Sequence, residues 1–249
     1  AGEMAFFREQ SVARRKAVIE TMVAKRIPCV VVSRSLAPTP EMVDVLEQAG
    51  VPLFRTPLSS KAFTTEVTVL LEERFAPRTS LHGTLLEIRG VGTLIRGASG
   101  AGKSEAALAL IERGHSLVAD DLVKVKLLSD HTPIGFCDPL SRGFMECRGI
   151  GIINIEKLFG NRFVRIEKKI DLVVTLIEEA VNAEPDRTGL DRKYFQILGF
   201  DVPQMEIPVR TGRDIARLIE VAAMVQAARQ FGYDSADDLN EKLLRKMNH

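Results

Sequence analysis

The chain has 249 residues, 45% of them apolar and 27% charged, which suits one large globular domain or a medium domain with a smaller one. Its 34 Lys and Arg are matched by 33 Asp and Glu, so it lacks the basic excess that nucleic-acid binding draws on. Three scattered cysteines (Cys29, Cys137, Cys147) argue against a disulfide framework or a structural zinc site, and no apolar run reaches the roughly 18 residues that crossing a bilayer requires.

The pattern begins with a small α/β unit. The chain starts at Ala1 rather than Met, so this first segment is expected to be incomplete. Residues 27–32, rich in Val, read as a buried strand. Residues 41–49 carry apolar side chains at helical spacing (Met42, Val45, Leu46), and Gly50 stands where a helix-ending glycine belongs. Residues 51–54 suggest a second strand and 64–75 a second helix. Pro77 interrupts the pattern, which divides the chain into an N-terminal α/β domain at 1–76 and a second domain at 77–249.

In the second domain, strands are predicted at 84–88 and 93–96 around a tight turn at 90–92, then a helix at 106–113 stopped by Gly114. His115, next after that stop, could neutralise the helix's C-terminal dipole. Further strands are predicted at 116–119, 123–128 and 150–155, with a central one at 171–177. The longest helical pattern covers 213–229, with Ile215, Leu218, Ile219, Ala222 and Val225 on one stripe. Ser235 is expected to cap a last helix.

Between the strand at 93–96 and the helix lies Gly97-Ala98-Ser99-Gly100-Ala101-Gly102-Lys103-Ser104, which fits G-x-x-x-x-G-K-[ST] at every fixed position. Glycines let backbone N–H groups turn inward to form a concave anion site, and the helix adds the positive end of its dipole. Lys103 would reach the β- and γ-phosphates, and the Ser104 hydroxyl would hold magnesium. The strand before and the helix after set this apart from an ordinary glycine-rich turn. The expected ligand is a nucleoside triphosphate with Mg2+.

Asp120 and Asp121 close a strand shortly afterwards; one could meet the metal or accept a proton, or both could sit in a solvated turn. Alternation at a strand end sends the two carboxylates to different sides. Glu146 and Arg148 share a face at period two, as a metal ligand beside a phosphate clamp or as an ordinary ion pair. Arg187, Arg210 and Arg213 lie in loops bounded by Pro and Gly, and His82 stands isolated before Gly83.

Five segments in this order resemble the HPr kinase/phosphorylase family: 81–83, the loop with Glu105, 119–121, 146–154, and 208–213 running on to 224. The resemblance extends from about residue 26 to about 233. It implies a P-loop, carboxykinase-like α/β catalytic domain with a mixed sheet flanked by helices. The implied enzyme is bifunctional and regulates carbon metabolism. As a kinase it phosphorylates a serine of HPr, the phosphocarrier of the sugar phosphotransferase system; as a phosphorylase it removes that phosphate with inorganic phosphate, releasing pyrophosphate. By resemblance Asp121 is the base, or in reverse the acid, toward the serine oxygen. Ser104 and Glu146 are the magnesium ligands, and His82, Lys103 and Arg187 complete the active site. Asp120 is expected to hold Lys103 or the metal shell. The segment 145–154 matches a stretch serving both reactions, and 208–213 one needed chiefly for dephosphorylation.

The resemblance further implies ATP and Mg2+ as requirements, a cytoplasmic homohexamer, and HPr docking near a neighbour's C-terminal helix, with neither nucleic acid nor membrane as partner. Ala98, Cys147 and Thr211 depart from the family's usual residues; none removes a catalytic group, and Thr211 leaves the efficiency of dephosphorylation open. A small-molecule P-loop kinase and a nucleotide sensor without transfer are the alternatives.

Overall fold

A computed structural model describes residues 2–178, 191–210 and 212–247. The chain forms two compact units, residues 1–75 and 76–249.

The first unit runs α1 (Gly2–Glu9), α2 (Val12–Ala24), β1 (Val30–Val32), α3 (Pro40–Gln48), β2 (Leu53–Arg55) and α4 (Ser60–Phe75). Strands β1 and β2 pair in parallel. Ile19, Val32, Met42 and Leu46 form the buried centre of this unit. Ser11 caps α2 by accepting from Arg14 N. A forked polar tie joins α2 to α3: the Arg15 guanidinium lies on Glu41, with Nη2 2.6 Å from Oε1 and Nε 3.2 Å from Oε2. That fork of hydrogen bonds lowers the Glu41 carboxyl from an ordinary value near 4.5 to about 2.

A carboxylate depressed in the folded state stabilises fully above its unfolded pKa and loses that contribution as pH falls through the folded one. Wild type and Glu41→Gln are therefore expected to differ in melting temperature at neutral pH, with the gap closing between about pH 4.5 and about pH 2. Thermal unfolding of the full chain across that range checks this; a gap that stays constant with pH contradicts it.

The second unit continues with β3 (Arg78–His82), β4 (Thr84–Ile88), β5 (Val91–Gly97), α5 (Lys103–Glu112), β6 (Ser116–Ala119), β7 (Leu122–Leu127), β8 (Pro133–Phe136), β9 (Phe144–Cys147), β10 (Gly151–Asn154) and α6 (Ile155–Phe159). Then follow β11 (Glu167–Lys169), β12 (Leu172–Glu178), β13 (Lys193–Ile197), β14 (Phe200–Val209), α7 (Ile215–Gln230) and α8 (Ser235–Met247). Six strands form a mixed sheet in the order β13-β14-β12-β5-β4-β6, and four form an antiparallel sheet β11-β8-β7-β3. Hairpin β9–β10 bonds to neither sheet.

Alternation along β5 shows how the layers stack. Ile95 turns to one face, where Ala107, Leu110 and Ile111 of α5 and Ile219 and Ala223 of α7 bury it. Leu94 turns to the other, joining Val123 and Val125 of β7 on the four-stranded sheet. Burial on both faces explains why the central strands read as continuous apolar runs.

Strand direction places the site. β12 is parallel to β5 on one side and to β14 on the other, while β4 runs antiparallel to both β5 and β6. β5, β6, β12 and β14 thus all end on one edge, the edge where open α/β sheets bind ligands.

A cluster of charges pins the other end. Arg89 and Arg113 both reach Glu220 of α7, at 2.9 and 3.7 Å, and Arg113 reaches the α7 cap Asp214 at 2.7 Å. His115, considered above as a neutraliser of the α5 dipole, is instead buried 3.4 Å from Glu220. Burial pushes its pKa down against the attraction of Glu220, so the charged form that a dipole partner requires is disfavoured.

Candidate active site

The loop at 97–104 leaves the end of β5 and enters α5 at Lys103, as the motif requires. Gly97 is fixed by crowding: a Cβ there would lie 2.9 Å from the Leu176 carbonyl oxygen of β12. Gly102, just before the helix, has φ +85°, a left-handed conformation that a side chain would strain. Lys103 Nζ donates to the carbonyls of Gly97 at 3.0 Å and Ala98 at 2.9 Å, which holds the ammonium over the loop. Ala98, Ser99 and Gly100 are exposed, and Ala101, Gly102 and Ser104 half-buried at the start of α5.

Two strands across the sheet, β6 ends at Ala119 and the chain turns through Asp120 and Asp121 into β7. Strand spacing puts this turn about 10 Å from the loop, within reach of a triphosphate and its acceptor. The two carboxylates differ in setting. Asp121 is exposed, with its backbone at φ +62° and its carbonyl accepting from Gly83 N at 3.0 Å. That bond joins the turn to the end of β3, where His82 is exposed and paired with Leu122.

Asp120 is turned inward. One oxygen accepts from the Thr84 hydroxyl at 2.8 Å and the other from Glu146 N at 3.2 Å. Burial raises its pKa, and these bonds pull the other way. Of the two partners expected for Asp120, Lys103 or the metal shell, Lys103 bonds the loop carbonyls instead. Thr84 escaped the sequence reading. Nothing in the sequence marks it: a threonine opening a strand that also carries Glu87 is ordinary, and its burial at 1% exposure appears only in the fold.

Hairpin β9–β10 spans the gap between turn and loop. Met145 and Cys147 point into the core beside α5, so Glu146 and Phe144 face outward. Glu146 is exposed on β9 opposite Ile152. From the hairpin turn, Arg148 Nη2 donates to Ser99 Oγ at 3.2 Å. The simple Glu146–Arg148 ion pair is thus replaced by a guanidinium lying on the phosphate loop. Burial holds the Cys147 and Cys137 thiols up, in their neutral form.

A magnesium ion fits this donor set. It takes oxygen ligands, usually one or two carboxylates plus the phosphates that carry it. Ser104 would supply a hydroxyl and Glu146 a carboxylate. Among the described residues no three His, Cys, Asp or Glu side chains group closely enough to hold a metal by themselves. Arg187 lies outside the described residues, as does Thr211.

The family model described as HPr Serine kinase C-terminal domain matches residues 73–243, and that described as HPr Serine kinase N terminus matches residues 1–71. The chain belongs to the HPr serine kinase family. It is 40% identical over 246 residues to the HPr kinase/phosphorylase of Caldicellulosiruptor bescii, covering 99% of this chain and 79% of that one. It is 41% identical over 244 residues to the HPr kinase/phosphorylase of Leptospira biflexa, covering 97% and 76%. Among solved structures, the HPr(Ser) kinase/phosphatase from Coxiella burnetii superposes with a TM-score of 0.58 at 34% identity, covering 66% of this chain and 99% of that one. The mixed sheet flanked by helices is thus shared with a solved structure of the HPr serine kinase family.

Proposed function

We propose that this chain is a bifunctional HPr kinase and phosphorylase. It moves the terminal phosphate of ATP to a serine of the phosphocarrier protein HPr, and with inorganic phosphate it removes that phosphate as pyrophosphate. The observation that carries the reading is the placement of a complete phosphate loop and an exposed carboxylate, Asp121, on one sheet edge. That edge sits in a chain similar over nearly its whole length to proteins named HPr kinase/phosphorylase.

In the kinase direction Asp121 takes the serine proton as the hydroxyl oxygen attacks the γ-phosphorus and the bond to ADP breaks. In reverse, a phosphate oxygen attacks the phosphoserine phosphorus. The serine oxygen then leaves with a proton from Asp121, and pyrophosphate forms. Both directions need charge neutralisation and in-line positioning more than covalent participation. Lys103 and the backbone N–H groups of the loop bind the phosphates, Arg148 approaches them from the hairpin, and His82 and Arg187 are the remaining active-site residues that the family resemblance implies. Bound through Ser104 and Glu146, Mg2+ would neutralise charge on the phosphates.

Assembly as a cytoplasmic homohexamer belongs to the same reading. The exposed apolar side chains Val221 and Met224 on α7, and Leu239, Leu243 and Leu244 on α8, support association. Among the described residues no helix is long and apolar enough to cross a membrane.

The deciding experiment is the intact mass of purified HPr after incubation with this protein and Mg-ATP. One added phosphoryl group is expected, and it should disappear when excess inorganic phosphate replaces ATP. An unchanged mass despite measurable ATP binding would favour the nucleotide sensor or a metabolite kinase.

A further inference from the structure

Hairpin β9–β10 carries Glu146 and Arg148 to the phosphate loop, yet it hydrogen-bonds to neither of the two larger sheets. Its core side chains Met145 and Cys147 fix its height above α5. Apolar packing of that kind resists separation but tolerates sliding, because the burial term has no direction. Directional bonds must set the register of β9 along the edge. Two reach it from the site: Arg148 to Ser99 Oγ at the exposed turn, and Asp120 Oδ2 to Glu146 N at 3.2 Å. The second acts on the backbone of the residue that presents the carboxylate.

Asp120 is itself anchored. Its Oδ1 accepts from Thr84 Oγ1 at 2.8 Å, and Thr84 is buried at the start of β4, one strand from β5. The chain Thr84–Asp120–Glu146 thus runs from the rigid sheet, through the acidic turn, to the hairpin. Both carboxylate oxygens are occupied, which leaves Asp120 poorly placed to take a proton from a substrate.

We propose that Asp120 is a positioning residue: it transmits the location of β4 to the backbone of Glu146, and so sets where the Glu146 carboxylate meets the metal on the phosphate loop. This rests on the reading of Glu146 as a magnesium ligand given above. The role is geometric, and that separates it from acid–base chemistry. Asn at this position can keep both bonds, its oxygen accepting from Glu146 N and its amide donating to the Thr84 hydroxyl, which is both donor and acceptor. Ala can keep neither.

The test is nucleotide binding to the full chain by calorimetry, with and without Mg2+, alongside the magnesium dependence of phosphoryl transfer to HPr. Asp120→Ala is expected to leave magnesium-free nucleotide affinity near wild type and to raise the half-saturating magnesium concentration by about tenfold, the low end for loss of an outer-shell partner. Asp120→Asn is expected to restore that concentration to within about threefold of wild type, as a retained outer-shell bond predicts. Thr84→Val breaks the anchor without touching the site and should move magnesium dependence in the same direction, with Thr84→Ser restoring it. Should Asp120→Ala fail to fold, the Thr84 pair carries the test alone.

An Asp120→Asn enzyme as defective in transfer as Asp121→Asn, with unchanged magnesium dependence, would overturn the proposal by showing a direct chemical role. Unchanged magnesium dependence in Thr84→Val would overturn it as well. Failure of the underlying reading looks different: Glu146→Gln would then leave magnesium dependence untouched.

Discussion

Asp121→Asn is expected to slow phosphoryl transfer to HPr by about 10²–10⁴-fold, the contribution of a positioned general base, while nucleotide affinity stays close to wild type. The choice of Asn matters for a backbone reason. Asp121 sits at φ +62°, and Asn tolerates that left-handed conformation as well as Asp does. Its carbonyl would keep the bond from Gly83 N, so the link between the acidic turn and the end of β3 survives. Asp121→Ala would mix loss of the carboxylate with backbone strain and could not separate chemistry from structure. Because the same carboxyl serves as acid toward the leaving serine oxygen, phosphorolysis of phosphoserine-HPr should fall alongside the kinase reaction. Single-turnover phosphorylation and pyrophosphate release check both arms. Loss of one direction with the other intact would mean that the two reactions use different proton carriers.

The central part of this site was legible from residue order because its physics is local. A glycine loop between a strand and a helix fixes its own geometry, and the apolar runs of β4, β5, β6 and β12 announce strands buried on both faces. Elements whose existence depends on distant partners were not legible. β14, the longest strand among the described residues, contains Pro203 and Pro208, and proline normally marks an edge. It lies inside the sheet, and among the described residues each proline is paired on one flank only. β12 pairing begins only at Gln204, leaving Pro203 before it, and β13 pairing ends at Gln204, leaving Pro208 beyond it.

The last helix shows a smaller displacement: Asp234, not Ser235, bonds the first turn, accepting from Ala236 N at 2.9 Å. α1 and α2 gave no usable pattern because their buried surface is slight, with Ile19 alone fully buried between them. Among site residues, alternation already sent Asp120 and Asp121 to different sides, whereas Thr84 and the two bonds that hold Asp120 emerge only when β4, β6 and β9 are brought side by side.

Lys103→Ala is expected to weaken binding of ATP and of pyrophosphate and to reduce transfer more deeply still. In the structure the ammonium bridges the carbonyls of Gly97 and Ala98, so its charge is already stationed at the mouth of the loop. A phosphate oxygen then competes for a donor that need move only a little, which keeps the ordering cost of binding low. Losing a charge-assisted hydrogen bond of this kind costs about 1.5–3 kcal/mol, or about 10- to 150-fold in affinity. The cost in rate should exceed that in affinity, because negative charge shifts toward the bridging oxygen as the phosphoryl group departs, and a stationed cation stabilises that shift most.

Lys103→Arg is not expected to rescue the loss. A planar guanidinium is wider than an ammonium and cannot hold both carbonyls and a phosphate from one point. Calorimetry of ATP binding and single-turnover transfer to HPr separate the two losses. Equal losses in affinity and in rate would show that Lys103 binds ground state and transition state alike, and would pass the stabilising role to Arg148, which already donates to Ser99 Oγ of the loop.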